Sequence, residues 1–386
     1  MNWYRHQVLT LVPAFVMLAL CFGSPALRAQ NTVKETDLQS DIPGRAANTD
    51  PGLVNPWGIT YGPTSPFWVA DNGSGLSTLY NTAGAKQGLT VSLPNGAPGG
   101  LIAPTGAVFN SDSSSYNGDH FIFASEDGII DGWKSGTAAE VLFSSPSGAV
   151  YKGLADGSMG GHTYLYATDF HNNRIDVFPG AGAPAVTGAF TDPTIPAGFA
   201  PFNIQNIGGM LYVTYAKQDG VAHDDDPGAG NGFVDIYNLN GDLQKRLVTM
   251  GALNSPWGLA LAPHGFGGFG GDLLVGNFGD CMINAYDPVT GAWLDMLHNP
   301  DGSVLSIDGL WGLIFGNGAA GGDSKTLYFT AGIAGDGEKE DHGLFGSLSS
   351  VPDTANTGAA LGFSLAALCA IGWLRRRGGD HRLAPT

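Results

Sequence analysis

The chain has 386 residues, including 60 glycines and 23 prolines, and a formal net charge of −17. This negative charge argues against binding to nucleic-acid phosphates or anionic lipid headgroups, because like charges repel. Cys281 is the one cysteine outside the apolar terminal segments, so we expect no disulfide within the intervening domain.

The N-terminus has the layout of a secretory signal peptide. Arg5 and His6 precede an apolar stretch over residues 8–22, and small residues fill positions 23–29. This arrangement predicts a signal peptide over residues 1–29 that is removed after Ala29. We therefore expect the rest of the chain to be exported.

A short motif recurs through residues 30–348. Its clearest copies are Asn55–Ile59, Ser255–Leu259 and Gly309–Leu313, each with a Trp-Gly pair, and weaker copies start at Pro104, Tyr151 and Pro201. The six copies are spaced 47 to 54 residues apart, and each is followed by an apolar run, a turn and a further strand-like run. Six units of three or four strands predict an all-β fold, a six-bladed β-propeller.

The last repeat explains how the propeller would close. It has predicted strands at Leu310–Phe315, Leu327–Thr330 and Gly343–Ser347, and then the chain runs directly into the C-terminal tail. Thr32–Leu38, ahead of the first repeat, is left without a blade. We therefore predict that this N-terminal segment completes the last blade and removes its exposed edge. The recurring glycine is predicted on the innermost strand, where a Cβ would crowd the axis.

The repeat resembles the NHL and gluconolactonase superfamily of propellers. More specifically, five segments resemble an uncharacterised bacterial propeller family, some of whose members carry PEP-CTERM tails; these segments are Asp41–Gly44, Asn55–Gly58, Phe202–Gln205, Asn277–Asp280 and His342–Gly346. This resemblance implies the propeller fold and brings no activity with it. Cys281 departs from the pattern, since a glycine or small residue is expected after Gly279-Asp280.

Propellers bind ligands at the axial mouth, close to where the innermost strands begin. One polar residue per repeat lies there, and the set is Asn55, Thr105, Lys152, Asn203, Asn254 and Asp308. The gluconolactonase-like resemblance implies a divalent cation held by carboxylate and amide oxygens, a role that Asn55, Asn203, Asn254 and Asp308 could fill with Ca²⁺. The alternative is that these side chains cap turns. The metal therefore stays unknown at this point.

Two loops carry further polar residues. His223, Asp224, Asp225 and Asp226 lie in a long loop of the fourth repeat, and Glu340 and His342 lie in a loop of the last one. Long loops are often functional, although acidic loops are also commonly just solvated. If both loops rise on one face, they form a polar rim together with His171.

The C-terminal tail, residues 349–386, has three parts. Val351-Pro352-Asp353 precedes an apolar segment over about 358–374, and Arg375-Arg376-Arg377 follows it. The apolar segment predicts a transmembrane helix with the arginines on the cytoplasmic side. The pattern resembles the Val-Pro-Asp variant of the PEP-CTERM sorting tail, which implies a Gram-negative bacterium and cleavage by an exosortase-type enzyme. The alternative is an anchor that is not processed.

Three functions remain open from the sequence. The first is a non-catalytic propeller, anchored in the inner membrane and then located at the cell surface or in the extracellular matrix, where it binds a polysaccharide or a surface protein. The second is a calcium-dependent hydrolase of lactones or esters that acts at the axial mouth. The third is a purely structural surface protein. The first is favoured by the tail, because exosortase substrates as a class are associated with exopolysaccharide and biofilm. No nucleophile motif of the Gly-x-Ser-x-Gly type stands before a helix.

Overall fold

The structure is a computed structural model that describes residues 31–335 and 339–351. Within these ranges the regular elements are β-strands and two short 3₁₀ turns, at Tyr116–Gly118 and Gly267–Phe269. No helix among the described residues has the length and apolar character needed to cross a bilayer. The predicted signal peptide, the predicted transmembrane segment, Pro352, Asp353 and the three arginines lie outside the described residues.

The strands of the described part form six sheets, the blades. The first two strands are β1 (Val33–Ser40) and β2 (Asn48–Thr49). Blade 1 contains β3 (Pro56–Thr60), β4 (Phe67–Asp71), β5 (Leu76–Tyr80) and β6 (Lys86–Ser92). Blade 2 contains β7 (Pro104–Phe109), β8 (Phe121–Ser125), β9 (Ile129–Trp133) and β10 (Glu140–Ser144). Blade 3 contains β11 (Tyr151–Met159), β12 (His162–Asp169) and β13 (Arg174–Pro179).

The remaining blades follow in chain order. Blade 4 contains β14 (Phe199–Ile207), β15 (Met210–Lys217), β16 (Gly232–Asn238) and β17 (Leu243–Thr249). Blade 5 contains β18 (Pro256–Leu261), β19 (Leu273–Asn277), β20 (Ile283–Tyr286) and β21 (Trp293–Met296). Blade 6 contains β22 (Leu310–Phe315), β23 (Thr326–Ala331) and β24 (Leu344–Ser350), followed by β1 and β2. The predicted six-bladed propeller is confirmed.

The six inner strands, β3, β7, β11, β14, β18 and β22, form a closed ring, since each contacts the next and β22 contacts β3. The outer part of blade 6 is supplied by β1. It pairs antiparallel with β24, from Val33 opposite Ser350 to Ser40 opposite Leu344, with a bulge between Asp37 and Gln39. The prediction that the N-terminal segment completes the last blade is therefore confirmed, with the pairing extending to Ser40.

Blade 3 has three strands, and the segment that follows β13 does not pair with it. Residues 180–198 contain Pro184, Pro193 and Pro196, which lack the backbone N–H that a strand ladder requires. Instead, this segment bonds to blade 4: the main-chain N–H of Gly188 donates to the carbonyl of Asn240 at 2.9 Å. The irregular connection thus covers the boundary between blades 3 and 4.

Tight packing between blades explains the recurring glycine of the inner strands. A Cβ on Gly58 would lie 2.4 Å from the carbonyl oxygen of Thr105, and a Cβ on Gly106 would lie 2.3 Å from the main-chain nitrogen of Leu154. The atoms in the way belong to the inner strand of the next blade. The recurring glycine lies on the innermost strand, as predicted. A Cβ there would clash with the inner strand of the neighbouring blade rather than with groups at the axis.

Candidate functional site

Aromatic side chains close the axial channel near the beginnings of the inner strands. This aromatic plug contains Trp57, Phe170, Phe202, Trp257, Phe278 and Trp311. The rings of Trp57 and Trp311 stack with centroids 3.6 Å apart, and Phe278 stacks on the indole of Trp311 at 4.1 Å. The Trp-Gly motif therefore supplies both the plug and the glycine that lets the blades approach.

A buried lysine lies directly over the plug. The Lys152 side chain, from β11, is only 1% exposed, and its Nζ is 5.1 Å from the ring centroid of Trp57. It forms ion pairs with Glu126, which follows β8, and with Asp224 of the long blade 4 loop at 2.9 Å. Three blades thus meet at one ammonium group.

Opposite charges in this cluster shift the pKa values of Lys152 and Asp224. Burial alone would lower the pKa of Lys152, but the carboxylates of Glu126 and Asp224 outweigh burial and raise it. Burial likewise acts to raise the pKa of Asp224, and the Lys152 ammonium and His223 hold that pKa below its usual range. Lys152 and Asp224 therefore stay charged at neutral pH.

A chain of side-chain hydrogen bonds extends the cluster to blade 6. Asn72 Nδ2 donates to Glu126 Oε2 at 2.9 Å, and Asn55 Nδ2 donates to Asn72 Oδ1 at 3.3 Å and to Glu340 Oε1 at 3.0 Å. We refer to Asn55, Asn72, Glu126, Lys152, Asp224 and Glu340 as the axial-mouth network. It brings the Asp224 and Glu340 loops to one face, as the polar-rim prediction requires.

The other predicted axial residues bind main-chain groups. Thr105 Oγ1 donates to the carbonyl of Tyr151 at 2.7 Å, and Asn203 Nδ2 donates to the carbonyl of Trp257 at 2.7 Å. Asn254 Oδ1 accepts from the N–H of Gly228 at 2.7 Å, and Asp308 Oδ2 accepts from the N–H of Ala334 at 3.0 Å. Of the six predicted axial residues, Asn55 and Lys152 therefore join the network, while the other four bind main-chain groups of strands and loops.

The other predicted rim residues differ in their partners and in their exposure. His171 Nδ1 donates to the carbonyl of Ala222 at 3.1 Å, and His223 Nδ1 donates to Asp224 Oδ1 at 3.1 Å. Asp226 pairs with Lys217 at the surface, whereas Asp225 Oδ2 is buried without a hydrogen-bond partner. His342 Nδ1 lies 2.6 Å from Asp41 Oδ2, on the side of β1.

Val351, the first residue of the predicted sorting motif, belongs to the propeller, since its N–H donates to the carbonyl of Thr32 at 3.1 Å.

The mouth contains ligand atoms that could hold a metal cation, but the Lys152 ammonium already lies there. One ligand atom each from Glu126, His223 and Asp224 lie within 4.8 Å of one another. The Lys152 ammonium contacts two of these three side chains, so a divalent ion would have to displace it. The predicted calcium set does not assemble here, because Asn203, Asn254 and Asp308 bind the main chain.

Glu126 and Asn72 were not predicted from the sequence. Each directly follows the second strand of its blade, at the position that Phe170 and Phe278 have in blades 3 and 5. Aligning the repeats on the end of the second strand, in addition to the Trp-Gly motif, would have placed all four near the axis. The position directly after the second strand is therefore the sequence signal that identifies these residues.

Comparison with known proteins identifies relatives without assigned activity. An uncharacterized protein of Acanthamoeba polyphaga mimivirus is 34% identical over 341 residues, which cover 83% of this chain and 81% of the relative. A second uncharacterized mimivirus protein is 33% identical over 342 residues, which cover 83% of this chain and 87% of that relative. No family model matches the sequence. These relatives are viral, so the bacterial origin implied by the sequence resemblance stays a prediction.

Solved structures with the same architecture include a glucose dehydrogenase, with a TM-score of 0.51 and 12% identity over 82% of this chain and 100% of that one. Virginiamycin B lyase from Staphylococcus aureus gives a TM-score of 0.48 and 15% identity over 83% and 99%. At such identities the likeness concerns the fold alone. The sequence relationship is the informative one, and by it the chain belongs to the same protein family as the uncharacterized mimivirus proteins.

Proposed function

We propose that this protein is an exported propeller with a non-catalytic binding or structural role at the cell surface or in the extracellular matrix, in association with exopolysaccharide or biofilm. The observation that supports this role is the state of the axial mouth. Lys152 neutralises the carboxylates that would otherwise hold a catalytic metal, and the aromatic plug lies directly beneath it. A mouth of this kind favours binding over catalysis.

The rim around the mouth suits a hydroxyl-rich or basic partner. Side chains of Asp224, Asp226, His223 and His342 are 65%, 50%, 48% and 37% exposed. Carboxylates accept hydrogen bonds from sugar hydroxyls and pair with lysine or arginine of another protein. A polysaccharide or a surface protein is therefore the proposed partner.

Binding is tested with the purified full-length chain against extracellular polysaccharide and a glycan array. The double variant His223→Ala, Asp226→Ala should reduce binding at least tenfold, while Asp242→Asn, an exposed change in the β16–β17 turn, should leave it unchanged. If the wild type, the double variant and Asp242→Asn all bind equally well, the rim is not part of the binding site. The melting temperature of each variant shows whether the fold is intact.

Export rests on the two terminal segments and is tested separately. Expression in a Gram-negative host that has an exosortase should yield a product without residues 1–29 and cut near Pro352. Replacing Arg375, Arg376 and Arg377 by alanine should leave an uncut, membrane-retained form. A wild-type product with an intact tail in the membrane would argue for a simple anchor.

The competing function is a calcium-dependent lactone or ester hydrolase. Its support is the approach of Glu126, His223 and Asp224 within 4.8 Å. It is tested by measuring bound metal by mass spectrometry before and after chelation, together with a lactone screen. One tightly bound calcium per chain with lactone turnover would replace the non-catalytic proposal.

A further inference from the structure

The axial channel opens below the aromatic plug into a cavity of about 280 Å³. All six inner strands contribute to its wall, and in β3, β14 and β22 the wall residues come later in the strand than the plug residue. Trp257 belongs to both, so the plug forms the closed end of the cavity. The cavity therefore lies on the side of the plug opposite Lys152.

One unpaired carboxyl group lines this cavity. Asp156, on β11, is the only carboxylate among the described residues of the wall, and none of those residues is a lysine, arginine or histidine. Within the described part of the chain, no other side chain donates a hydrogen bond to its carboxyl group; Asn206 Nδ2 donates instead to the Asp156 main-chain carbonyl, at 2.9 Å. Burial raises the pKa of Asp156 to about 6, so the group is largely ionised at neutral pH.

The rest of the wall is mixed. Every blade contributes a branched aliphatic side chain and blade 6 contributes two, while polar side chains come from β3 and β14; the branched aliphatic residues are Ile59, Val108, Leu154, Ile204, Leu259, Leu313 and Ile314, and the polar ones are Thr60, Asn203, Gln205 and Asn206. A cavity of this volume has room for a small molecule. A buried anion without an internal cation is unfavourable, and a bound cation would compensate it.

We propose that this cavity binds a small organic cation, an ammonium group on a short aliphatic body. The ammonium pairs with the Asp156 carboxylate, and the aliphatic part packs against the ring of aliphatic side chains. A hard metal ion fits less well, because such sites usually combine several charged oxygen ligands and the other oxygens of this wall are neutral. This site is separate from the axial mouth, so it does not depend on the proposed rim partner.

The probe is n-butylammonium, with 1-butanol as the neutral molecule of the same size, titrated into the full-length chain and followed by ligand NMR. Asp156→Asn should weaken n-butylammonium binding at least tenfold and leave 1-butanol binding unchanged, since only the charge is removed. The control Asp301→Asn, on an exposed loop, should bind both as the wild type does. The proposal is overturned by equal n-butylammonium affinity in wild type and Asp156→Asn, or by no binding to the wild type up to 100 mM.

A second variant tests the same charge dependence without removing Asp156. Gln205→Glu adds a nearly isosteric carboxylate to the wall and should tighten n-butylammonium binding several-fold. An unchanged or weaker affinity in this variant, with a wild-type melting temperature, also overturns the proposal.

Discussion

Lys152 Nζ lies 2.9 Å from Asp224 Oδ1, and this ion pair joins the inner strand of blade 3 to the long loop of blade 4. The two partners differ sharply in environment, since the lysine side chain is 1% exposed and the aspartate side chain 65%. Gln218 Nε2, which donates to the carbonyl of Phe170 at 2.6 Å, holds the same loop at its base. The loop is therefore fixed over the mouth by a buried charge that it helps to neutralise.

Removing that charge should destabilise the fold. Lys152→Met keeps the length of the side chain but leaves Glu126 and Asp224 facing each other without a cation, so we expect the free energy of unfolding to fall by about 2 kcal/mol, less than for a fully buried pair because Asp224 reaches solvent. Urea unfolding measures this. Lys217→Met, which breaks the exposed pair with Asp226, is the control and should lose under about 1 kcal/mol. Equal losses would contradict the special role of Lys152.

The same variant should gain a response to metal ions. Without the ammonium, Glu126, His223 and Asp224 present oxygen and nitrogen ligands to one point. We expect 1 mM zinc or calcium to raise the melting temperature of Lys152→Met by several degrees and to leave the wild type unchanged, because an ion that binds only the folded state stabilises it. A metal response of the same size in the wild type would show that Lys152 does not exclude the ion.

The fold could be predicted because the repeat has a strong local signature. The Trp-Gly pair recurs wherever an inner strand needs an aromatic ring for the plug and a glycine beside the next blade, so Trp57-Gly58 and Trp311-Gly312 mark equivalent positions. The site was harder to predict. Lys152 was recognised from its place before the repeat glycine, whereas Glu126 lies in a turn of the preceding blade, a position that the Trp-Gly motif alone does not mark.

Backbone conformation explains one further departure. Cys281 stands where a glycine or small residue was expected, and its φ of +66° lies in the left-handed region that favours glycine. The small residue expected from the family pattern therefore reflects a left-handed backbone conformation at this position. Its thiol lies 8% exposed beneath the loop that carries Lys339, which is not a feature that sequence reveals.

Asp131 should make stability depend on pH. Both of its carboxylate oxygens are buried without a hydrogen-bond partner, and burial raises its pKa to about 8. A folded pKa above the unfolded value of 3.8 means that the unfolded state loses its proton first, so stability is highest at low pH and falls as the pH rises towards 8.

Asp131→Asn should remove this dependence. Between pH 5 and pH 7.5 the wild type should lose about 3 kcal/mol relative to the variant, from the 1.36 kcal/mol that corresponds to one pKa unit. Urea unfolding at the two pH values measures the difference. The exposed change Asp301→Asn should follow the wild type. Parallel pH profiles for wild type and Asp131→Asn would show that the carboxyl group is not buried as described.

Gly106 should not tolerate a methyl group. The Cβ of Gly106→Ala would lie 2.3 Å from the main-chain nitrogen of Leu154, and a strand of the closed ring has no free direction in which to move. We expect a loss of about 3 kcal/mol or more. Gly88→Ala in β6 is the matched control, since nothing lies within 4 Å of its Cβ position. Calorimetric melts that show similar small effects for both would contradict the tight contact between blades 2 and 3.

Closure through β1 should be essential for stability. Deleting residues 30–40 exposes the edge of β24 and removes the buried side chains of Val33 and Leu38, which are 2% and 7% exposed. Their loss corresponds to about 4 kcal/mol, or roughly a 10 °C decrease in melting temperature.

Complementation separates the loss of this strand from general misfolding. A peptide of residues 31–41 added in excess should restore part of the melting temperature of the deletion variant, because the antiparallel register with β24 needs no covalent link. A scrambled peptide of the same composition should have no effect, since it cannot place apolar side chains at the positions of Val33 and Leu38. An unchanged melt after the deletion would mean that blade 6 is stable with three strands, as blade 3 is, and that the N-terminal strand covers an edge without holding the ring closed.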